Sequence, residues 1–150
     1  FKLDYPNFVD FGIEVLHITE FLAELYDAGQ IKFKELPREV VTYHDPCHVG
    51  RYLGVYDPPR KLLNAIGGVE LREMERIKDQ GWCCGAGGGV MSAFRDQTNF
   101  ASKERIEEAK MTGASTLVSA CPFCMLALTE NIGDKLGYND IAEIVLKATI

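Results

Sequence analysis

Residues 115–124 read "STLVSACPFC". A short apolar run, residues 115–120, ends in two cysteines separated by Pro122 and Phe123. The segment after it, "PFCMLALTENIGDKLG", places Met125, Leu128, Ile132 and Leu136 at helical spacing. Together they predict a buried strand that delivers two thiols to the first turn of a helix.

The same strand-then-helix grammar extends along the chain. The run "IEVLHI" at residues 13–18 predicts a short strand, leading into "TEFLAELYDAG". There Ile18, Phe21, Leu22 and Leu25 share a helical face, and Gly29 supplies a stop. "EVVTYH" at 39–44 has the β-branched and aromatic content of a strand. "DPPRKLLNAIGG" predicts a helix with Asp57 as N-cap, Pro58 in the first position, Leu62, Leu63 and Ile66 inward, and Gly67 at its end. "VELREME" at 69–75 alternates as a strand does. A longer helix is expected over 92–110, with Phe94, Ala101, Ile106 and Ala109 inward and its many charges outward. A last amphipathic helix covers 140–148. Alternating strands and helices imply the α/β class: a small, mainly parallel sheet flanked by helices.

Composition narrows the function. A length of 150 residues, 47% hydrophobic and 25% charged, suits one soluble domain with a real core. A formal charge of −6 argues against nucleic acid as a partner, since phosphate binding wants a basic face. No apolar run approaches the roughly 20 residues of a membrane helix. The chain begins at Phe1 rather than Met, so it is expected to be a piece of a longer protein. Five cysteines is an odd number, and a core of this size needs no disulfide staples. A reducing, cytoplasmic setting is therefore expected, where clustered thiols serve metal or redox chemistry.

All five thiols fall on connections that leave the carboxyl ends of predicted strands. Cys47 follows the strand ending near His44, Cys83 and Cys84 follow the strand over 69–75, and Cys121 and Cys124 follow the strand over 115–120. Those ends share one edge of a parallel sheet, where ligands bind, so the three loops are expected to converge. The helix start at Cys121–Cys124 favours thiolate over thiol. The vicinal pair diverges and suits two metal atoms better than one. In "GWCCGAGGGV", Gly85, Gly87, Gly88 and Gly89 would let backbone approach a bulky inorganic centre and aim N–H groups at sulfur. Five thiolates exceed the four that a tetrahedral zinc or a simple cubane requires, so one is spare or the cluster is unusual.

Simpler readings account for less. Buried cysteines often act as small hydrophobes, but five beside Gly and Pro on one edge fit that poorly. A thioredoxin-like dithiol explains Cys121 and Cys124 and leaves three cysteines over. "GAGGG" misses the dinucleotide fingerprint, because Val90 takes the sixth position, and no Gly-Lys-Ser/Thr follows. His44 and His48 flank Cys47 in "HDPCH" and are candidates for ligand or proton-donor roles, or for holding the loop. His17 reads as structural, Trp82 as a cover over the site, and Met125 as core. Arg51 and Arg95 would offset cluster charge or bind an anion, with a solvated surface the simpler reading for Arg95.

"HDPCHVGR", then "WCCGAGGG" with 35 residues between Cys47 and Cys83, then "CPFC" with 36 between Cys84 and Cys121, form a specific pattern. It resembles the cysteine-rich CCG domain of heterodisulfide reductases and related iron–sulfur subunits of glycolate, lactate and anaerobic glycerol-3-phosphate oxidation. The likeness covers nearly the whole chain, including "EVLHITEFLAEL" and "DIAEIV". It implies that Cys47, Cys83, Cys84, Cys121 and Cys124 bind a four-iron centre, a noncubane [4Fe-4S] cluster in the heterodisulfide reductases, with zinc as the alternative metal. It also implies a single such domain over 1–150, within a protein that carries a second copy or a ferredoxin-like segment. The implied partners are other iron–sulfur or flavin subunits, in the cytoplasm or peripheral to a membrane complex. The activity expected is oxidoreductase: electron transfer to a small disulfide. A hydroxyacid or glycerol-3-phosphate electron-transfer subunit is the alternative, and a structural zinc-binding interaction module is the alternative of another class.

Overall fold

The computed structural model describes residues 1–10 and 12–150. Its centre is a sheet of four parallel strands: β1 (Glu39–Tyr43), β2 (Val69–Leu71), β3 (Thr116–Ser119) and β4 (Gly137–Asp140), in the order β2-β1-β3-β4. Val41 is in register with both Leu71 and Thr116, and Ser119 with Asp140. The α/β class is thus observed. Because β2 lies on one side of β1 and β3 on the other, the chain changes winding direction between β1 and β3. A crevice opens there, outside the carboxyl ends of the strands.

Helices cover both faces. On one, α1 (Ile18–Asp27), α2 (Asp57–Ala65) and α6 (Ile141–Ala148) bury Ala23, Leu62, Leu63, Ile144 and Val145 against Val41, Tyr43 and Val118. On the other, α4 (Arg95–Met111) and α5 (Pro122–Thr129) bury Ile106, Ala109, Ala127 and Leu128 against Leu117. Adjacent residues of β3, Leu117 and Val118, therefore serve opposite cores, as the pleat requires. The second core also holds Cys84 and Cys124, so the hydrophobic effect that assembles this layer also carries two sulfurs inward.

Local chemistry sets most boundaries. His17 caps α1: its Nδ1 accepts from the Thr19 N–H at 3.3 Å, while the Glu20 carboxylate accepts the His17 N–H at 2.8 Å. The structural role expected of His17 is observed. Asp140 caps α6 through the Ala142 N–H at 2.8 Å.

Several expected elements differ. Residues 13–17 form no strand. The strand from Val69 ends at Leu71, because the chain leaves the sheet once the Arg72 N–H has bonded to the Val41 carbonyl. Tyr56, not Asp57, is the N-cap of α2. The helix expected over 92–110 is two, α3 (Val90–Ala93) and α4, broken at Phe94 by its non-helical backbone (φ −139°, ψ 63°). Phe94 is consequently 59% exposed rather than inward. The last break is the largest: α5 stops at Thr129, and Gly137–Asp140 pairs with β3 as the edge strand. Met125 and Leu136 therefore share no helical face; Leu136 is buried, and Met125 is 38% exposed instead of core.

Candidate metal centre

Three loops rise from the carboxyl edge, and polar contacts fix each one. The first continues β1. The His44 N–H donates to the Val118 carbonyl at 2.8 Å, and Ser119 Oγ donates to the His44 carbonyl at 3.1 Å. Asp45 follows, its buried carboxylate gripped by Arg60 Nη1 and Nη2 at 2.8 and 2.9 Å and by the Lys78 N–H at 2.8 Å. Arg60 also donates to Glu73 from Nε at 2.6 Å. This paired, bidentate arrangement offsets the cost of burying the charges, and it ties the loop of Cys47 to the one approaching Cys83. Cys47 then precedes a π-helical turn, His48–Tyr52. There Arg51 donates to the carbonyls of Asp79 and Gly81, so it braces the loop instead of standing free for an anion.

The second loop follows β2 and lies along α4. The Arg76 N–H donates to Glu108 at 2.6 Å, and the Arg76 guanidinium stacks over Trp82 at 4.6 Å. Thr98 Oγ1 donates to the Gly85 carbonyl at 2.8 Å. Gly85 has φ +84°, and a Cβ built on it would meet Ala101 Cβ at 2.9 Å and Thr98 Cα at 3.0 Å. The bare backbone of this residue is thus required by its approach to α4. The third loop is the short step from β3 into α5, with Cys121 as N-cap and Cys124 in the first turn.

The three loops enclose a cavity of about 350 Å³. Cys47, Cys84, Cys121 and Cys124 line it, together with Gly87, Gly88 and Gly89. Cys83 faces an adjoining groove, which it shares with Cys47, His48, Arg51 and Gly85. The two vicinal thiols therefore open onto different spaces. His48 is exposed and borders both. All five thiols are free, and Arg95 is at the surface, paired with Glu130 at 2.6 Å.

The sulfurs are close enough to share protons. Hydrogen bonds from Cys124, then from Cys83, hold the Cys84 thiol far below its ordinary range despite burial. Cys83 is pushed up by its bond to Cys84 and then by burial, and Cys124 by its bonds to Cys121 and then Cys84, with burial adding to them. Cys121 is lowered to about 6, mainly by the hydrogen bond from Cys124, helped by the N–H groups of Cys124 and Phe123 at the start of α5. A ring nitrogen of His44 and the Cys84 and Cys124 sulfurs all lie within 4.8 Å of one another. His44 is almost wholly buried, and its Nε2 has no partner of its own. Such an orphaned polar atom costs free energy unless something in the site completes it. A cavity of this size, walled by four thiols of which Cys84 and Cys121 have thiolate character, and bordered by an unsatisfied imidazole nitrogen, fits a thiolate-ligated metal centre.

Residues 41–129 match the model of the cysteine-rich domain known as CCG. The chain belongs to this family. It is 41% identical over 152 residues to a subunit of the dihydromethanophenazine:CoB–CoM heterodisulfide reductase of Methanosarcina barkeri, covering 98% of this chain and 37% of that protein. A probable iron-sulfur-binding oxidoreductase of Bacillus subtilis, FadF, is 40% identical over the whole chain and 22% of its own length. A subunit of the fumarate reductase (CoM/CoB) of Methanothermobacter marburgensis is 42% identical, over 93% of this chain and 27% of its own length. This CCG chain thus spans between about a fifth and two fifths of these curated relatives.

Sequence reasoning missed the second ring of residues. Arg105 and Glu108 were expected among the outward charges of α4, yet both are buried, Arg105 completely. Nothing in the local pattern marks them, since "KERIEEAK" reads as a solvated face. Asp45 was visible inside "HDPCH", but its partner Arg60 is set by the packing of α2.

Proposed function

We propose that this CCG domain is the cluster-bearing part of an iron–sulfur oxidoreductase, in which Cys47, Cys83, Cys84, Cys121 and Cys124 ligate a noncubane [4Fe-4S] centre. One observation carries the reading: five free thiols from three separate loops meet around one cavity and the groove adjoining it, at the winding switch of a parallel sheet. The names of the relatives, which include a heterodisulfide reductase and an iron-sulfur-binding oxidoreductase, support it. When bound, the cluster supplies single electrons and iron at which a sulfur can be held.

The protein's own groups do the rest. The five sulfurs provide the negative charge, and the divergence of Cys83 from Cys84 lets the pair serve two irons. Gly87, Gly88 and Gly89 give one part of the cavity wall no side chains, so backbone can come close there. The substrate class is a small mixed disulfide, which takes two electrons and two protons to give two thiols. In this reading His48, whose exposure at the rim supports the role, delivers protons to the leaving sulfur. The domain is part of a longer protein and works beside other iron–sulfur or flavin subunits. Among the described residues no helix is long and apolar enough to cross a membrane.

The test is anaerobic purification with iron, sulfide and zinc counted per chain and an EPR spectrum of the oxidised protein. About four irons with acid-labile sulfide, and turnover of a mixed disulfide under reductant, is the expected result. Zinc without iron or sulfide would refute the reading and favour a structural module. Iron with no disulfide turnover would leave an electron-transfer domain alone.

A further inference from the structure

Arg105 is fully buried in the middle of α4. Its Nε–H donates to His44 Nδ1 at 3.0 Å, across 61 residues of sequence. Its Nη1 donates to the Arg76 carbonyl and to Glu108, both at 2.9 Å. A guanidinium has donors and no acceptor, so the His44 Nδ1 facing it must carry a lone pair. In a neutral imidazole the proton then sits on Nε2. Nε2 is buried and orphaned, and a ring nitrogen of His44 lies within 4.8 Å of the Cys84 and Cys124 sulfurs; with Nδ1 engaged by Arg105, Nε2 is the nitrogen free to serve them.

We propose that Arg105 is a positioning residue that locks His44 as an Nε2–H donor toward the sulfur of Cys84, and so keeps His44 out of the metal's coordination sphere. This rests on the cluster reading above for its functional meaning. By composition and distance alone, His44, Cys84 and Cys124 would serve as a set of metal ligands. Ligation through Nε2, however, needs its lone pair and sends the proton to Nδ1, where it would confront the Arg105 N–H. Breaking that bond would strand a donor of a completely buried cation, at the cost of an unpaired charged group. A hydrogen bond to a ligand sulfur withdraws charge from the centre and raises its reduction potential, and the buried guanidinium behind the ring acts in the same direction. His44 thus tunes the centre while the cysteines bind it.

The experiment has two arms on the full protein labelled with 15N-histidine. First, NMR of the metal-free form reads the His44 tautomer: Nε2–H is expected, and Nδ1–H would overturn the proposal. Second, His44→Gln, His44→Phe and Arg105→Met are reconstituted with iron and sulfide without oxygen, with circular dichroism as the check on folding. All three are expected to keep wild-type iron content. His44→Phe and Arg105→Met should show a lowered midpoint potential, and His44→Gln, which retains a donor, one closer to wild type. Loss of iron from both folded His44 variants would make His44 a ligand and overturn the proposal. An unchanged potential in His44→Phe would overturn the tuning role. A wild type that takes up no iron refutes the cluster reading instead, and the tautomer, which needs no metal, still decides this one.

Discussion

Replacing Gly85 with alanine should separate what the loop after the cysteines owes to helix packing from what it owes to the metal. At φ +84° an alanine enters the left-handed region, at a cost of about 1–2 kcal/mol. Its methyl would also lie 2.9 Å from Ala101 Cβ and 3.0 Å from Thr98 Cα, and the second contact is backbone of α4 that cannot swing aside. Overpacking of this kind costs about 1–3 kcal/mol, giving a total of about 2–5 kcal/mol. Two neighbours calibrate the number. Gly88 has φ +64° with open space around it, so Gly88→Ala carries the strain alone, about 1–2 kcal/mol. Gly87 has neither positive φ nor any neighbour within 4 Å, and Gly87→Ala should gain about 0.4–1 kcal/mol by restricting the unfolded chain. Urea unfolding of the metal-free proteins measures all three. With a slope of about 2 kcal/mol per molar, the Gly85→Ala midpoint should fall by about 1–2.5 M. A Gly85→Ala protein as stable as Gly88→Ala would show that the loop does not press on α4, and the argument from close approach would be wrong.

Cys83→Ala and Cys84→Ala should each lose iron and change the EPR spectrum; full iron content in either abandons the five-ligand centre. Asp45→Asn should destabilise by about 1.5–3 kcal/mol, because it removes the buried carboxylate that Arg60 grips with Nη1 and Nη2 and leaves the guanidinium only Glu73 as a charged partner; a change below about 1 kcal/mol in urea unfolding would mean the fork is not structural. Burial pushes the Glu108 carboxyl up, but bonds from the Arg76 N–H and the Arg105 and Arg76 guanidinia outweigh it, leaving it below the usual range. Its stabilisation is therefore complete above about pH 4.3, the unfolded value, and is lost as pH falls through the lower folded one. The urea midpoint should drop in that acid window and drop less in Glu108→Gln; parallel acid profiles would exclude Glu108 as the cause. Thr98→Val should cost about 1 kcal/mol through its bond to the Gly85 carbonyl, checked by the same unfolding curve.

Much was legible in the chain before any tertiary contact. Successive strands and helices imply parallel strands, parallel strands share one polarity, and residues that follow them must lie on one edge. That reasoning alone brings Cys47, Cys83, Cys84, Cys121 and Cys124 together, and the spacing of the three cysteine motifs points to their family. Amphipathic spacing likewise placed α6, which the structure shows to start at the cap residue Asp140. The edge strand β4 was not legible, because Gly137–Asp140 lacks β-branched content and pairs only because β3 presents a free edge to it. Nor were the polar groups behind the sulfurs. Periodicity tells which apolar residues turn inward, since every one of them gains by leaving water. A charged residue goes inward only where partners wait, and not all of them are near in sequence: Arg105 meets Glu108 three residues on but also His44, and Asp45 is held in common by Arg60 and the Lys78 amide. The sequence alone determined which thiols meet. The tertiary structure decided which of them see the cavity, which nitrogen faces them, and which buried cation stands behind it, because hydrogen bonding is directional and its partners are assembled only by the fold.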